Sequence, residues 1–304
     1  MGSVSIPLLT PPPSGEPHVP FPELVDRARE ALPEDLPEDL TQVMVALDVD
    51  GTLLRPDGAS PQVRSAFHDL LDAGAHVVIA SGRGINALRP VFEYVQSESG
   101  WAVASNGTLL ARWDPAVRGG VEVAVEHSFD PTEAIDALRS ALPEILIGVE
   151  DHRTGFLLSA HFPPHEFVES NRVAPLEELR GRSTTKLIGR APWMDRDAFE
   201  EVVADLGLES SYEYAVGWTS WVDVGPRGVT KASGLAELAA RLGVPPRGTV
   251  AVGDGTNDIP MLEWAAHGVA MGGATEVVRA HADAVTGAVE HDGAAAVMRA
   301  ILER

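Results

Sequence analysis

Two turns in the sequence contain paired carboxylates whose spacing suits metal binding and acid–base chemistry. The first, Asp48-Val49-Asp50-Gly51-Thr52, places one residue between its two aspartates. In an extended turn these carboxylates can address one cavity in different roles, one as nucleophile or metal ligand and the other as general acid and base. Gly51 would allow the backbone to approach a phosphate closely. A turn with two solvated aspartates is the alternative interpretation.

The second acidic turn is Gly253-Asp254-Gly255-Thr256-Asn257-Asp258, which follows an apolar run and opens a predicted helix. If both turns lie at strand ends, their carboxylates can meet across one crevice and supply the all-oxygen shell that Mg²⁺ prefers. The alternative is a glycine-rich turn in which Asn257 or Asp258 caps the helix. The presence of both turns in one chain favours the metal-binding interpretation.

Lysine is rare in this chain, which has 21 arginines but only two lysines. Lys231 stands at the start of a predicted helix, where a compact cation could meet a phosphoryl oxygen. An ordinary exposed lysine is the alternative, although a cation at this end of a helix opposes the helix dipole. Lys186 lies inside a predicted strand over residues 184–188, and we expect its side chain to face solvent.

Two further polar turns follow predicted strands at the same edge. Ser81-Gly82-Arg83 offers a hydroxyl that could donate a hydrogen bond to a phosphate oxygen, and Asn106-Gly107 is similar in kind. Both are also common turn sequences with a purely structural role. The predicted substrate-binding residues are Ser81, Gly82, Asn106 and Asn257.

The elements that must position these turns are short apolar strands alternating with amphipathic helices. The predicted strands cover residues 43–47, 76–80, 101–104, 249–252 and 269–271. The predicted helices cover residues 61–71, 85–95 and 230–242, with further helices from residues 258 and 292. This alternation predicts an α/β fold with a doubly wound, Rossmann-like parallel sheet, in which ligands bind beyond the carboxyl ends of the strands.

A different pattern, in which a helix is followed by two strands, occurs twice in the middle of the chain and predicts an inserted α+β domain with an antiparallel sheet. We predict that the insertion covers residues 112–225 and begins with a strand over residues 121–126. The sheet domain then consists of residues 42–111 and 226–304. Residues 1–41 are predicted to form a flexible proline-rich arm and a short helix.

Composition excludes several classes of function. The chain has 304 residues, 44% hydrophobic and 22% charged, and a formal charge of −22, which would repel nucleic acid and anionic membranes. The absence of cysteine excludes disulfides and thiolate metal sites. No apolar run approaches the roughly 18 residues of a membrane span, so we expect a cytoplasmic protein. The sequence leaves the oligomeric state open.

These residues resemble the haloacid dehalogenase superfamily of phosphatases, in particular its Cof-type class IIB, which has a large α+β cap inserted between segments of the sheet domain. The resemblance covers about residues 42–303. Its four motifs occur in the order of the family, at Asp48–Thr52, Ser81, Lys231 and Gly253–Asp258.

The resemblance implies roles for individual residues. Asp48 would attack phosphorus, and Asp50 would protonate the leaving group and then activate water. Mg²⁺ would be held by Asp48, the backbone carbonyl of Asp50 and Asp254, with Asp258 nearby. Lys231 would be the third catalytic residue.

The implied function is Mg²⁺-dependent hydrolysis of a small phosphomonoester, either a sugar phosphate or a phosphorylated cofactor, through an aspartyl-phosphate intermediate. The alternative is a phosphoryl transferase resembling phosphomannomutases, which use the same fold and Asp-x-Asp motif. A non-catalytic phosphate sensor would be expected to lack Asp48 or Asp50.

Five residues of the insertion could contact a leaving group, and none is assigned: His152, His161, His165, Trp218 and Trp221.

Overall fold

The computed structural model describes residues 14–164, 166–167 and 169–304. The helices of this part are α1 (Phe21–Ala31), α2 (Pro61–Asp72), α3 (Ile85–Tyr94), α4 (Thr132–Ala141), α5 (Leu176–Arg180), α6 (Arg196–Ala204), α7 (Lys231–Leu242), α8 (Ile259–Trp264), α9 (Glu276–Arg279) and α10 (Gly293–Leu302). The strands are β1 (Met44–Leu47), β2 (His76–Ala80), β3 (Gly100–Ala104), β4 (Leu109–Trp113), β5 (Val121–Glu126), β6 (Leu146–Asp151), β7 (Gly155–Leu158), β8 (Asn171–Val173), β9 (Leu187–Arg190), β10 (Tyr212–Val216), β11 (Trp221–Pro226), β12 (Thr249–Gly253), β13 (His267–Ala270) and β14 (Ala284–Val285).

The first sheet has the order β14-β13-β12-β1-β2-β3-β4-β5, and its strands from β14 to β3 are parallel. Alternate residues of the central strand β1 enter different cores. Val45 and Leu47 pack with residues of α2 and α10, whereas Met44 and Ala46 pack with residues of α7 and α8. Helices therefore cover both faces, which is why β1 is apolar at every position. The predicted doubly wound α/β fold is confirmed.

Two antiparallel strands extend this sheet beyond β3. β4 pairs with β3, and β5 pairs with β4. The predicted start of the insertion at residue 112 therefore falls inside β4, and the strand over residues 121–126 belongs to the first sheet rather than to the insertion. β5 is an edge strand whose side chains pack onto both cores of the first sheet. The sequence pattern shows that a strand exists but not which strand it pairs with.

The second sheet has the order β10-β11-β9-β6-β7-β8, and all its pairs are antiparallel except β7 with β8. Helices α4 and α6 pack on one face of it. The opposite face has a smaller apolar cluster that includes Phe156, Ile188 and Trp221. This face is turned toward the first sheet, because Asp223 on β11 accepts a hydrogen bond from Asn106, which follows β3.

Helix α1 attaches the N-terminal segment to the first sheet's helical layer. Leu24 and Val25 are buried against small residues of α10. The predicted short helix is thus part of the folded structure, and residues 1–13 of the predicted arm lie outside the described residues. Within the part of the chain that the structure describes, no helix combines the length and apolarity needed to cross a membrane.

Candidate active site

The two acidic turns lie side by side because β1 and β12 are neighbouring parallel strands. Asp48 follows β1 directly, and Asp254 follows β12. Contact between the turns is close: a Cβ atom at Gly51 would lie 2.3 Å from a carboxylate oxygen of Asp254. Gly51 also has a positive φ of 88°. Only glycine satisfies both conditions at this position.

Three carboxylates and one ammonium group form the centre of the site. Carboxylate oxygens of Asp48, Asp254 and Asp258 lie within 4.8 Å of one another. The Nζ of Lys231 donates a 2.6 Å hydrogen bond to Oδ1 of Asp48 and another of 2.6 Å to Oδ1 of Asp258. Lys231 is fully buried at the first residue of α7. This burial excludes the alternative of an exposed lysine at a helix start.

The pKa values of these groups reflect the crowding of negative charge. Burial, aided by the charges of Asp258 and Asp50, raises the pKa of Asp48 to about 7 although Lys231 opposes the shift. Burial and the charge of Asp48 raise the pKa of Asp254 well above its usual value. Burial would lower the pKa of Lys231, but Asp258 and Asp48 outweigh it and raise that pKa. The site therefore has an excess of negative charge around one permanent cation.

This donor set fits a hard divalent cation. The three carboxylates and the ammonium group together have a formal charge of −2, which one Mg²⁺ ion would neutralise. All the candidate ligands are oxygens, the donor type that Mg²⁺ prefers over nitrogen and sulfur. Oδ1 of Asp254 also accepts a 3.1 Å hydrogen bond from Oγ1 of Thr52, which helps to orient this carboxylate.

Asp258 also organises the second acidic turn. Its Oδ2 accepts hydrogen bonds from the backbone N–H groups of Asp254 at 2.9 Å and Gly255 at 2.8 Å. Its Oδ1 is the oxygen that accepts from Lys231. Asp258 thus has both of the roles considered from the sequence. Its Oδ2 closes the turn, and its Oδ1 belongs to the charged site.

Asp50 is held by Arg83, which the sequence analysis did not assign to the site. Nε of Arg83 donates to Oδ2 of Asp50 at 2.8 Å, and Nη2 donates to Oδ1 at 2.6 Å. This two-point contact fixes the plane of the Asp50 carboxylate. The carboxylate is not a member of the group formed by the other three aspartates, and the metal contact through the Asp50 carbonyl stays a prediction. Arg83 could have been predicted as a site residue from its position in the Ser81-Gly82-Arg83 turn.

Ser81 and Gly82 lie at the end of β2 and line the cleft beside Asp48. Ser81 is buried, and its Oγ accepts a 3.1 Å hydrogen bond from the backbone N–H of Arg83. This contact uses a lone pair of the oxygen, so the hydroxyl hydrogen remains to be donated. The hydroxyl can therefore act as a donor, and phosphate binding by Ser81 stays a prediction.

Asn106 and Asn257 form a bridge between the second acidic turn and the second sheet. Nδ2 of Asn257 donates to Oδ1 of Asn106 at 2.9 Å, and Nδ2 of Asn106 donates to Oδ2 of Asp223 at 3.1 Å. Asn106 has a left-handed backbone with φ of 56°. Asn257 lines the cleft, whereas the amide of Asn106 is used in these two contacts. Substrate binding by either residue stays a prediction.

The expectation of a solvent-facing Lys186 is wrong. Its side chain is buried, and its Nζ donates a 2.8 Å hydrogen bond to the carbonyl oxygen of Gly82. Burial would lower the pKa of Lys186, but the carboxylates of Asp223 and Glu150 outweigh it and raise that pKa. Lys186 lies on the face of the second sheet away from its helices. That face would meet solvent in an isolated sheet, but here the first sheet and its loops cover it.

A cleft of about 760 Å³ separates the strand ends of the first sheet from the second sheet. Asp48, Asp50 and Asp254 lie on the side of the first sheet. Of the five insertion residues considered from the sequence, Trp218 and Trp221 line the cleft, and His165 lies outside the described residues. The acidic centre is therefore open to a small molecule that both sheets can contact.

The chain matches the family of haloacid dehalogenase-like hydrolases over residues 45–141 and 164–298. The matched residues include both acidic turns and most of both sheets. The chain belongs to this family and is an enzyme of the hydrolase class. The predicted membership of the haloacid dehalogenase superfamily is confirmed. The match begins at residue 45, so α1 and the segment before it lie outside the family region.

The alignment with this chain covers nearly the whole length of several named relatives. A 5-amino-6-(5-phospho-D-ribitylamino)uracil phosphatase of Bacillus subtilis, YcsE, is 28% identical over 270 residues, with 86% of this chain and 96% of the relative covered. The pyridoxal phosphate phosphatase YbhA of Escherichia coli is 28% identical over 263 residues, with 82% and 94% covered. A phosphoglycolate phosphatase of Methanopyrus kandleri is 29% identical over 270 residues, with 86% and 97% covered.

Solved structures of the same superfamily share the fold. A phosphatase from Bacteroides thetaiotaomicron aligns with a TM-score of 0.69 at 26% identity, with 88% of this chain and 98% of the other covered. A haloacid dehalogenase-like hydrolase from Bacillus subtilis aligns with a TM-score of 0.71 at 23% identity, with 84% and 98% covered. The combination of a parallel sheet and an inserted antiparallel sheet is therefore shared with known members.

Proposed function

We propose that this enzyme is a Mg²⁺-dependent phosphatase that hydrolyses a small phosphomonoester, a sugar phosphate or a phosphorylated cofactor, through an aspartyl phosphate on Asp48. The observation that carries this proposal is the cluster of the Asp48, Asp254 and Asp258 carboxylates around the ammonium group of Lys231. The names of the relatives support it, because each acts on a small phosphorylated compound.

In the first step, a carboxylate oxygen of Asp48 forms a bond to phosphorus while the bond between phosphorus and the ester oxygen breaks. Asp50, protonated at this stage, gives its proton to the departing alkoxide, which leaves as an alcohol. Lys231 contacts Asp48 and is placed to offset the charge that develops on the phosphoryl oxygens. Ser81 would donate a hydrogen bond to one of these oxygens.

In the second step, the Asp50 carboxylate takes a proton from water, whose oxygen forms a bond to phosphorus while the bond to Asp48 breaks. Phosphate leaves, the Asp48 carboxylate is regenerated, and Asp50 is again protonated. The two hydrogen bonds from Arg83 hold the Asp50 carboxylate in one orientation while it accepts the proton. One carboxylate thus serves as acid and then as base.

Mg²⁺ would be held by the carboxylates of Asp48 and Asp254 and by the backbone carbonyl of Asp50, with Asp258 nearby. When bound, it supplies charge neutralisation that allows an anionic carboxylate to approach an anionic phosphate. The role of Lys231 is complementary, because its ammonium group donates to Asp48 and Asp258 and so holds both carboxylates in place.

We also propose that the second sheet with α4, α5 and α6 acts as a cap over the strand ends of the first sheet. The chain leaves the first sheet after β5 and returns after β11, so the cap would cover about residues 127–226. Lys186, which donates to the carbonyl of Gly82, contacts the first sheet from this side. Closure of such a cap would exclude bulk water from Asp50.

The test is phosphate release from a panel of phosphorylated metabolites with and without Mg²⁺, in wild type and in Asp48→Asn. We expect release that needs Mg²⁺ and that falls by at least about 10³-fold in Asp48→Asn, since an amide cannot act as the nucleophile. Asp197→Asn is the matched control because Asp197 is exposed on α6. Wild-type rates in Asp48→Asn would overturn the proposed nucleophile.

A second measurement addresses the intermediate and the alternative of phosphoryl transfer. Borohydride reduces an acyl phosphate to an alcohol, so quenching during turnover should convert Asp48 to homoserine, which mass spectrometry detects. Phosphate release should need no sugar bisphosphate. A strict requirement for a bisphosphate, with the phosphoryl group recovered on sugar, would instead favour the phosphomannomutase-like transferase.

A further inference from the structure

The face of the second sheet that meets the cleft has aromatic side chains beside charged ones such as Lys186 and Asp223. Side chains alternate along each strand, so β11 directs Val222 and Val224 into the core with α4 and α6 and directs Trp221 to the opposite face. Phe156 on β7 lies on the same face as Trp221. The face opposite to α4 and α6 therefore presents large rings to the cleft.

Three of these rings line the cleft and form one surface, which we call the aromatic wall: Phe156, Phe167 and Trp221. The ring centroids of Phe156 and Phe167 are 4.8 Å apart, and those of Phe167 and Trp221 are 5.8 Å apart. Phe167 and Trp221 are only partly buried. Phe167 and Trp221 therefore expose ring area to a flat group in the cleft, whereas Phe156 is 3% exposed and packs against Phe167.

Two carboxylates beside the wall, those of Asp223 and Glu166, are already paired within the protein, and the Glu169 carboxylate also lines the cleft. Oδ1 of Asp223 accepts from Nε1 of Trp221 at 2.8 Å, and its Oδ2 accepts from Asn106. Glu166 contacts the guanidinium group of Arg190 at 2.9 Å. A leaving group therefore meets aromatic rings beside two carboxylates that contacts within the protein already orient.

Lys186 provides hydrogen-bond donors at one edge of the wall. Its Nζ lies 5.5 Å from the ring centroid of Phe156 and uses one hydrogen for the carbonyl of Gly82. An ammonium group has two more hydrogens. Because Gly82 follows Ser81, these donors lie between the phosphate end of the cleft and the wall, where the first atoms of a leaving group would pass.

We propose that the preferred substrate is a phosphomonoester whose leaving group contains a planar aromatic or heteroaromatic ring, held against the aromatic wall with a hydrogen-bond acceptor directed at Lys186. The inference rests on the proposed phosphatase function and narrows its substrate class. The wall offers aromatic contact to a ring, and the ammonium group of Lys186 offers a donor to an acceptor on that ring, so a flat ring gains contacts that a polyol does not.

The experiment compares esters that share a primary alkyl phosphate and differ in the ring. The probes are benzyl phosphate, cyclohexylmethyl phosphate, pyridoxine 5′-phosphate and ribose 5-phosphate. We expect kcat/KM for pyridoxine 5′-phosphate to exceed that for ribose 5-phosphate by about tenfold or more, and benzyl phosphate to exceed cyclohexylmethyl phosphate by about threefold to tenfold. Equal values within each pair, or a preference for ribose 5-phosphate, would overturn the inference.

Substitutions in the aromatic wall test whether these rings cause the preference for aromatic esters. Trp221→Leu and, independently, Phe167→Leu should reduce the ratio of kcat/KM for pyridoxine 5′-phosphate to that for ribose 5-phosphate at least about threefold. Trp193→Leu is the matched control, because Trp193 is exposed and lies outside the cleft. Trp221→Phe should keep most of the preference. A preference unchanged in both wall variants, or changed equally in Trp193→Leu, would contradict the inference.

The outcomes separate this inference from the function on which it rests. If no ester releases phosphate with Mg²⁺ and wild type does not differ from Asp48→Asn, the phosphatase proposal fails. If all four esters are hydrolysed in an Asp48-dependent reaction at equal kcat/KM, the phosphatase proposal stands and only the substrate class is wrong.

Discussion

The guanidinium group of Arg83 makes two parallel hydrogen bonds to the carboxylate of Asp50, at 2.8 and 2.6 Å. The two residues are 33 positions apart and follow neighbouring strands of the first sheet, β1 and β2. Burial would lower the pKa of Arg83, but the charge of Asp50 outweighs it, so the guanidinium stays charged. This pair fixes the orientation of the side chain to which we assign acid and base catalysis.

Arg83→Lys should therefore reduce kcat by about 10- to 100-fold, because lysine keeps the charge but cannot make the two-point contact that orients Asp50. The KM for a small ester should change by less than about threefold. Steady-state kinetics, which separate kcat from KM, provide the measurement. Arg299→Lys, which alters a pair with Asp69 on the outer helices, is the control. A large increase in KM at constant kcat would show that Arg83 binds substrate instead.

Lys231→Met should lower the free energy of unfolding of the metal-free protein by about 3 kcal/mol or more, because it leaves Asp48 and Asp258 buried without their cation. Urea unfolding in the presence of a chelator measures this. Adding Asp258→Asn to the same chain should recover part of the loss. Arg241→Met removes an exposed pair with Glu237 and should cost less than about 1 kcal/mol. An equally small cost for Lys231→Met would contradict the structural role of the lysine.

Mg²⁺ should stabilise the protein without any substrate, since a ligand that binds only the folded state adds about 2.7 kcal/mol at a concentration 100 times its Kd. We expect the Tm to rise by several degrees with Mg²⁺ and the rise to be much smaller in Asp254→Asn. Differential scanning calorimetry provides the readout. Asp197→Asn should respond like wild type, as this aspartate is exposed. A full shift in Asp254→Asn would remove Asp254 from the ligand set.

Leu24→Ala should lower the free energy of unfolding by about 2–3 kcal/mol, because Leu24 is 4% exposed and packs on α10. Turnover at saturating substrate should stay within about twofold of wild type, since α1 lies outside the family region and contributes no residue to the acidic centre. Chemical unfolding and phosphate release are the two measurements. Glu30→Ala, at an exposed position of α1, should change neither. Unchanged stability in Leu24→Ala would mean that α1 is not part of the cooperative fold.

Several features of this protein follow from the sequence alone. The apolar strands 43–47 and 249–252, each ending in an acidic turn, are local patterns, and the structure has strands there within one residue of these bounds. The doubly wound α/β fold could also be predicted, because strands covered on both faces are apolar at every position and helices between them are amphipathic. The chemistry of the two turns was equally local, since residue type and spacing are visible without a fold.

Other features were decided only by the tertiary structure. The sequence could not show that β5 joins the first sheet, because the residues of a strand do not specify which other strand it pairs with. The burial of Lys186 depends on which surface covers the open face of the second sheet, and the pairing of Arg83 with Asp50 depends on β1 and β2 being neighbours. The contacts of Lys186 and Arg83 join residues that are 104 and 33 positions apart. They arise from the packing of distant elements, and packing determines whether a charged side chain is solvated or forms part of a site.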